Sequence, residues 1–221
     1  MHLLCTSKYF YMLEQDDQLQ TLHEIRSIMD RSTRFQSLSG LSGIFVGLIA
    51  LAGAGAVQWH FSVHNQSYTG LFQNSPTTET AWFIGIATAV VFVLAVSCAL
   101  YFTGLKAQKA RQSVWTSQAR RLLFNFCLPL AVGGAFCGVL LLHGIGYLVA
   151  PAMLIFYGLA LVNASKYTFS DLLSLGVCEI ALGLGCGAVV EYGLLAWTLG
   201  FGLLHVLYGG ILYYKYEKKN G

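Results

Sequence analysis

Residues Leu122 to Ser165 read LLFNFCLPLAVGGAFCGVLLLHGIGYLVAPAMLIFYGLALVNAS, a run without a single Asp, Glu, Lys or Arg. A helix needs about 20 apolar residues to bridge a ~30 Å hydrocarbon core. The run is therefore too long for one crossing and long enough for two. The break falls at His143-Gly144-Ile145-Gly146, and Pro151 follows early in the next helix, where a proline is tolerated. This predicts spans at 122–142 and 147–165. Working outward, Arg34 to Glu79 encloses no charge; its apolar half predicts a span at 37–58, and polar, turn-prone residues 59–79 a loop. Residues 80–104 give the next span. Leu172 to Tyr214 is interrupted only by Glu179 and Glu191, and a turn at Glu191-Tyr192-Gly193 divides it into spans 172–190 and 193–214. These runs are apolar on all sides rather than alternating, which excludes a membrane barrel. The expected fold is all-α: a polytopic membrane protein with a six-helix bundle over 36–215, a cytoplasmic or interfacial helix over 1–35 and a short cytoplasmic tail at 216–221.

Composition agrees. Only 10% of the 221 residues are charged and 56% are hydrophobic. Soluble domains carry about 25% charged residues, and so few charges cannot cover a water-soluble surface. A soluble domain, a disordered chain and a nucleic-acid-binding protein are thereby excluded. The net charge of +3 is explained by a basic face meeting anionic lipid headgroups.

The basic residues orient the bundle. Lys8, Arg26, Arg31 and Arg34 precede the first span. Lys106, Lys109, Arg111, Arg120 and Arg121 separate the second and third. Lys166 lies between the fourth and fifth, and Lys215, Lys218 and Lys219 follow the sixth. All fall on one side of a six-span arrangement. Basic loops stay cytoplasmic, so both termini are expected there. Trp59, Trp82, Tyr147 and Tyr192 on the outer side, and Tyr101, Tyr167, Tyr213 and Tyr214 on the inner, fit the interfacial aromatic belts.

Ahead of the first span, Leu19, Leu22, Ile25, Ile28 and Met29 recur at helical spacing, with Glu14, Asp17, Glu24 and Asp30 mostly opposite. That pattern predicts an amphipathic helix on the membrane surface. His2-Leu3-Leu4-Cys5 is too short for a signal-peptide core, and native translation is expected to start at Met12 rather than Met1.

Ser39, Gly43 and Gly47 form a small-residue stripe on the first span, and glycines recur at 133, 134 and 138 and at 176, 183 and 187. Such stripes let helix backbones approach closely, either within the bundle or across a homodimer. Pro129, inside the third span, frees the carbonyl of Asn125 and predicts a kink.

Ionisable groups at membrane depth are functional candidates. Counting helical rise from the cytoplasmic side, Glu179 lies about 10 Å deep, His205 about 13 Å, Tyr157 about 12 Å and Ser97 about 10 Å. One polar layer is expected to hold all four. Three roles compete for it: a hydrogen-bonded layer that fixes helix register, a proton or cation relay, and the polar end of a pocket for a small amphiphile. At the outer face, His60 and His64 share a helical face if the first span continues outward. With His143 and Glu191 they would suit zinc or another transition metal. His143 and His205 differ in depth by roughly 18 Å, too far to ligate one haem. The six cysteines show no C-x-x-C spacing, and no phosphate-binding, metalloprotease or G-x-S-x-G hydrolase motif occurs. The fourth span also lacks the serine that a rhomboid-type protease requires.

Two stretches carry a resemblance. Arg31 to Gly47 reads RSTRFQSLSGLSGIFVG, and Ala150 to Tyr167 contains PAMLIFYGLALVNASKY. They resemble an uncharacterised family of small bacterial integral membrane proteins, over most of the chain from about Leu19. The resemblance implies a bacterial inner membrane and carries no activity. The function expected is non-enzymatic binding or movement of a small solute or ion through the polar layer. The alternatives are a membrane scaffold or regulatory subunit docking a cytoplasmic protein on the amphipathic helix and the Lys106–Arg121 loop, and a metal-dependent intramembrane enzyme.

Overall fold

The computed structural model describes residues 39–70, 78–109 and 115–218. The expected amphipathic helix, both candidate start sites and the middle of the Lys106–Arg121 loop lie outside these residues. Among the described residues the fold is all-helical. Six helices are long and apolar enough to span a membrane. They are α1 (Gly40–Val63), α2 (Thr78–Lys109), α3 (Ser117–Leu142), α4 (Val149–Ala164), α5 (Asp171–Ala188) and α6. The last opens with a 3-10 turn, Val190–Tyr192. It continues as α-helix Gly193–Trp197, π-helix Thr198–Leu204, α-helix His205–Tyr213 and π-helix Tyr214–Lys218.

The helices α1, α2, α3 and α6 run past the apolar stretches of the expected spans, whereas α4 lies within its stretch and α5 ends short of residue 190. α1 continues through Trp59 and His60 to Val63, and α2 reaches Lys109. α3 begins at Ser117, where the Thr116 hydroxyl accepts from the Ala119 N–H at 3.1 Å. Residues 216–218, read as tail, belong to α6. The physical reason is that loss of apolarity marks the headgroup region, whereas a helix stops only where the backbone is turned or capped. Asn65 (φ 51°) ends the outer side of α1, and Gly144 (φ 73°) ends α3 within the expected break. α3 runs uninterrupted through Pro129.

The packing order is not the chain order. α1 lies between α2 and α6. The first half of α6 reaches α4 and α5, and α4 lies between α3 and α5. α2 touches essentially α1 alone, and the apolar window of its span has no buried residue.

Glycine makes these contacts possible. A methyl group at Gly43 would stand 3.0 Å from Gly209 Cα, and one at Gly47 would stand 2.7 Å from the Gly202 carbonyl. The Ser39–Gly43–Gly47 stripe is thus a seam within the chain, covered by α6. Gly158 and Gly176 form the equivalent α4–α5 seam, each blocked by the other's carbonyl at 2.6 and 2.7 Å. Gly133 abuts Phe156, whereas Gly134 and Gly138 face open space.

Two carboxylates tie the basic end together. No side chain of its own caps α1. Instead the Gly40 N–H donates to Glu217 Oε1 at 2.7 Å, and Lys106 Nζ donates to the same oxygen at 3.1 Å. One carboxylate at the end of α6 therefore caps α1 and pairs with α2. At the start of α5, Asp171 accepts from Lys215 Nζ at 3.0 Å and Tyr216 O–H at 2.8 Å. At the opposite end, Tyr68 donates to the Tyr147 carbonyl at 3.0 Å, with its ring against Gly193. Burial holds its phenol above the ordinary tyrosine range.

Removing the Glu217 carboxylate is expected to lower stability by about 1–2 kcal/mol, most of it from the lost cap and less from the ion pair. Glu217→Gln, which keeps an acceptor for Gly40, is expected to lose less than Glu217→Ala. Thermal unfolding of both variants in lipid nanodiscs measures this; equal losses would show that the cap contributes nothing.

Candidate functional site

Glu179 sits mid-helix on α5 and is 0% exposed. Its neighbour across the core is the π-helical stretch of α6. Thr198-Leu199-Gly200-Phe201-Gly202 carries two glycines there. A methyl group at Gly200 would stand 2.5 Å from Glu179 Oε2, so the missing side chain is what gives the carboxyl its space. Leu154 of α4, also fully buried, closes the same space.

His205 begins the α-helical turn that follows and is 6% exposed. Its Nδ1 lies 2.9 Å from the Gly200 carbonyl and 3.5 Å from Glu179 Oε1. A carbonyl can only accept, so Nδ1 carries the hydrogen. In the neutral ring Nε2 then accepts the Tyr157 O–H at 2.6 Å. The result is a directed chain from Tyr157 through the imidazole to the Gly200 carbonyl. Phe126 and Phe201 flank the Tyr157 ring, with centroids 6.0 and 5.0 Å away.

The carboxyl stands outside this chain. Neither Glu179 oxygen has a hydrogen-bond partner among the described residues. Both oxygens are buried within the bundle. Buried polar groups are almost always partnered, and an orphan costs about 1–3 kcal/mol. A carboxyl kept in that condition at membrane depth is the outstanding feature of the bundle.

Three of the four residues expected in one layer are thus in contact. Ser97 is not among them. It is exposed on α2, which packs against α1 and leaves Ser97 on the outward side. Rise along the chain says nothing of the direction around the helix, which depends on which neighbour the helix has. The π-helical stretch and Gly200 escaped sequence reading. The available signal was the G-x-G pair one turn before an intramembrane histidine.

At the end away from the basic cluster, His60 and His64 stack, with ring centroids 4.2 Å apart near the C-terminus of α1. His60 Nε2 lies 3.5 Å from Thr80 Oγ1, and His64 Nδ1 bonds the His60 carbonyl at 2.9 Å. His143 is exposed and turned to its own helix, bonding the Val139 carbonyl at 2.9 Å, and Glu191 is exposed. These four do not converge: no group of three or more His, Cys, Asp or Glu is placed to hold a metal among the described residues. The cysteines of the described residues are all free. No protein-family model, no curated protein and no solved structure matches the chain.

Proposed function

We propose that this is a non-enzymatic, multi-pass membrane protein that binds and moves a small ion, or a solute travelling with one, at the Glu179–His205–Tyr157 layer. The observation that carries the reading is the fully buried Glu179 carboxyl without a partner on either oxygen, 3.5 Å from an imidazole. A group whose only role was to glue helices together would be expected to bond across the seam. An intramembrane carboxyl without such a bond is retained for a change of charge or partner.

The test is charge movement. Proteoliposomes adsorbed on a solid-supported membrane are switched rapidly between pH values, and then between sodium and potassium salts. A transient current is expected from the wild type and none from Glu179→Gln. A wild type as silent as protein-free liposomes under every switch sinks the proposal.

We further propose that the membrane is a bacterial inner membrane and that the basic end faces the cytoplasm. The support is that Lys106, Lys215 and Lys218 cluster at the end held by Glu217 and Asp171, as the positive-inside rule requires. On intact cells, an impermeant maleimide is expected to label Ser62→Cys and to spare Ser117→Cys. The reverse pattern would invert the orientation.

A further inference from the structure

We infer that the ion taken at this layer is a proton, received by Glu179 through Tyr157 and His205, and not a metal cation. This rests on the ion-moving reading above and names its substrate.

The surroundings of the carboxyl decide between the two. A hard cation replaces its water with a shell of oxygens; Ca²⁺ takes about 6–8 of them at roughly 2.3–2.6 Å, and K⁺ filters line their path with carbonyls. Glu179 brings two oxygens, and the groups around them are of the wrong kind. His205 Nδ1 lies 3.5 Å from Oε1 and carries a hydrogen, which makes it a donor and not a cation ligand. The Gly200 carbonyl is already engaged by that N–H at 2.9 Å. Leu154 and Gly200 pack against the carboxyl on the α4 and α6 sides. Both oxygens are buried without a hydrogen-bond partner among the described residues, so a cation would have to open the packing and bring most of its own oxygen ligands. A proton needs one lone pair.

The path is equally specific. Tyr157 is the half-buried member of the three, while His205 and Glu179 are buried. Its hydroxyl touches Nε2 at 2.6 Å. When an aqueous proton binds the Tyr157 oxygen, the existing O–H breaks and an Nε2–H bond forms. The Nδ1–H bond breaks in turn and an Oε1–H bond forms on the Glu179 carboxylate. Tyr157 ends neutral, the ring ends neutral with its hydrogen on Nε2, and Glu179 has gained the proton. The last hop needs Nδ1 and Oε1 to close from 3.5 Å to about 2.9 Å, a small swing of the ring away from Gly200. Rotation of the ring or return of the protons restores the start.

The experiment uses the full chain in phosphatidylethanolamine–phosphatidylglycerol liposomes loaded with a pH-sensitive dye. The bath holds sodium, potassium or N-methylglucamine salts under an imposed potential. Internal acidification faster than in protein-free liposomes is expected, equal in all three salts and absent in Glu179→Gln. Tyr157→Phe keeps the ring and removes the relay hydroxyl, and is expected to slow acidification roughly 10²-fold, the contribution of one positioned proton-transfer group. Infrared difference spectra between acid and alkaline pH are expected to show a protonated-carboxyl band that Glu179→Gln removes. Sodium or potassium tracer flux that depends on Glu179 without acidification would overturn the proton assignment and leave the ion-moving reading standing. Acidification unaltered in Tyr157→Phe would overturn the path. A carboxyl band that never changes with pH, together with no flux of any ion, would overturn both readings.

Discussion

Gly209→Val is expected to be strongly destabilising on the α1–α6 seam, while Gly210→Ala, one residue along, is expected to be neutral or slightly stabilising. A methyl group at Gly209 would meet Ile44 N at 2.5 Å, Gly43 C at 2.8 Å and the Gly40 carbonyl at 2.9 Å. All three are backbone atoms of α1 and cannot rotate away. The helices must separate, and overpacking of this kind costs up to about 3 kcal/mol, occasionally more. Gly210 has nothing within 4 Å of the same position. There alanine adds up to about 1 kcal/mol of helix propensity. Thermal unfolding of the two variants in one lipid mixture is the check. Similar melting behaviour would mean that α1 and α6 are not apposed through glycine.

Glu179→Met is expected to make the protein more stable while silencing the transient current. The methionine has similar length, needs no hydrogen-bond partner, and fits a space walled by Leu154 and the glycine at 200. Removing an orphaned polar group from such a site is worth roughly 1–3 kcal/mol. Glu179→Gln leaves polar atoms in the same dry space and is expected to gain far less. Opposite signs in stability and activity are the mark of a residue held against the interests of the fold. If Glu179→Met instead loses stability, the carboxyl is a structural bond in the seam, and the functional reading of the layer goes with it.

The six crossings were legible because the bilayer imposes a length on apolar runs, and the 44-residue stretch from Leu122 to Ser165 can satisfy it only as two helices. That Glu179, His205 and Tyr157 come together was legible from the constant rise per residue, and they are in contact. Direction was not. Ser97 is exposed, because α2 packs chiefly against α1. Partner choice was also hidden: the stripe of the first helix announces a close contact and is silent on whether it lies within the chain. The contact proved to be with the last helix. Gly200 was hidden most deeply, as its role depends on a local change of helical register. No hydropathy pattern encodes that change.

The pairing of the first helix with the last sets a timetable for biogenesis. Ser39 and Gly40 reach Glu217 across sequence separations of 178 and 177. α1 enters the bilayer early, yet its glycine face has only α2 beside it until α6 is delivered. Long-range closures of this kind are slow and leave sticky surface uncovered in the meantime. The nascent protein must therefore keep its opening hairpin unsealed through four further insertions and zip shut in a single late event. That event creates the N-cap of α1 and encloses Glu179 at the same moment. A chain that stalls before α6 would thus lack both its closure and the wall that α6 sets against Glu179, and so would be open to quality-control proteases.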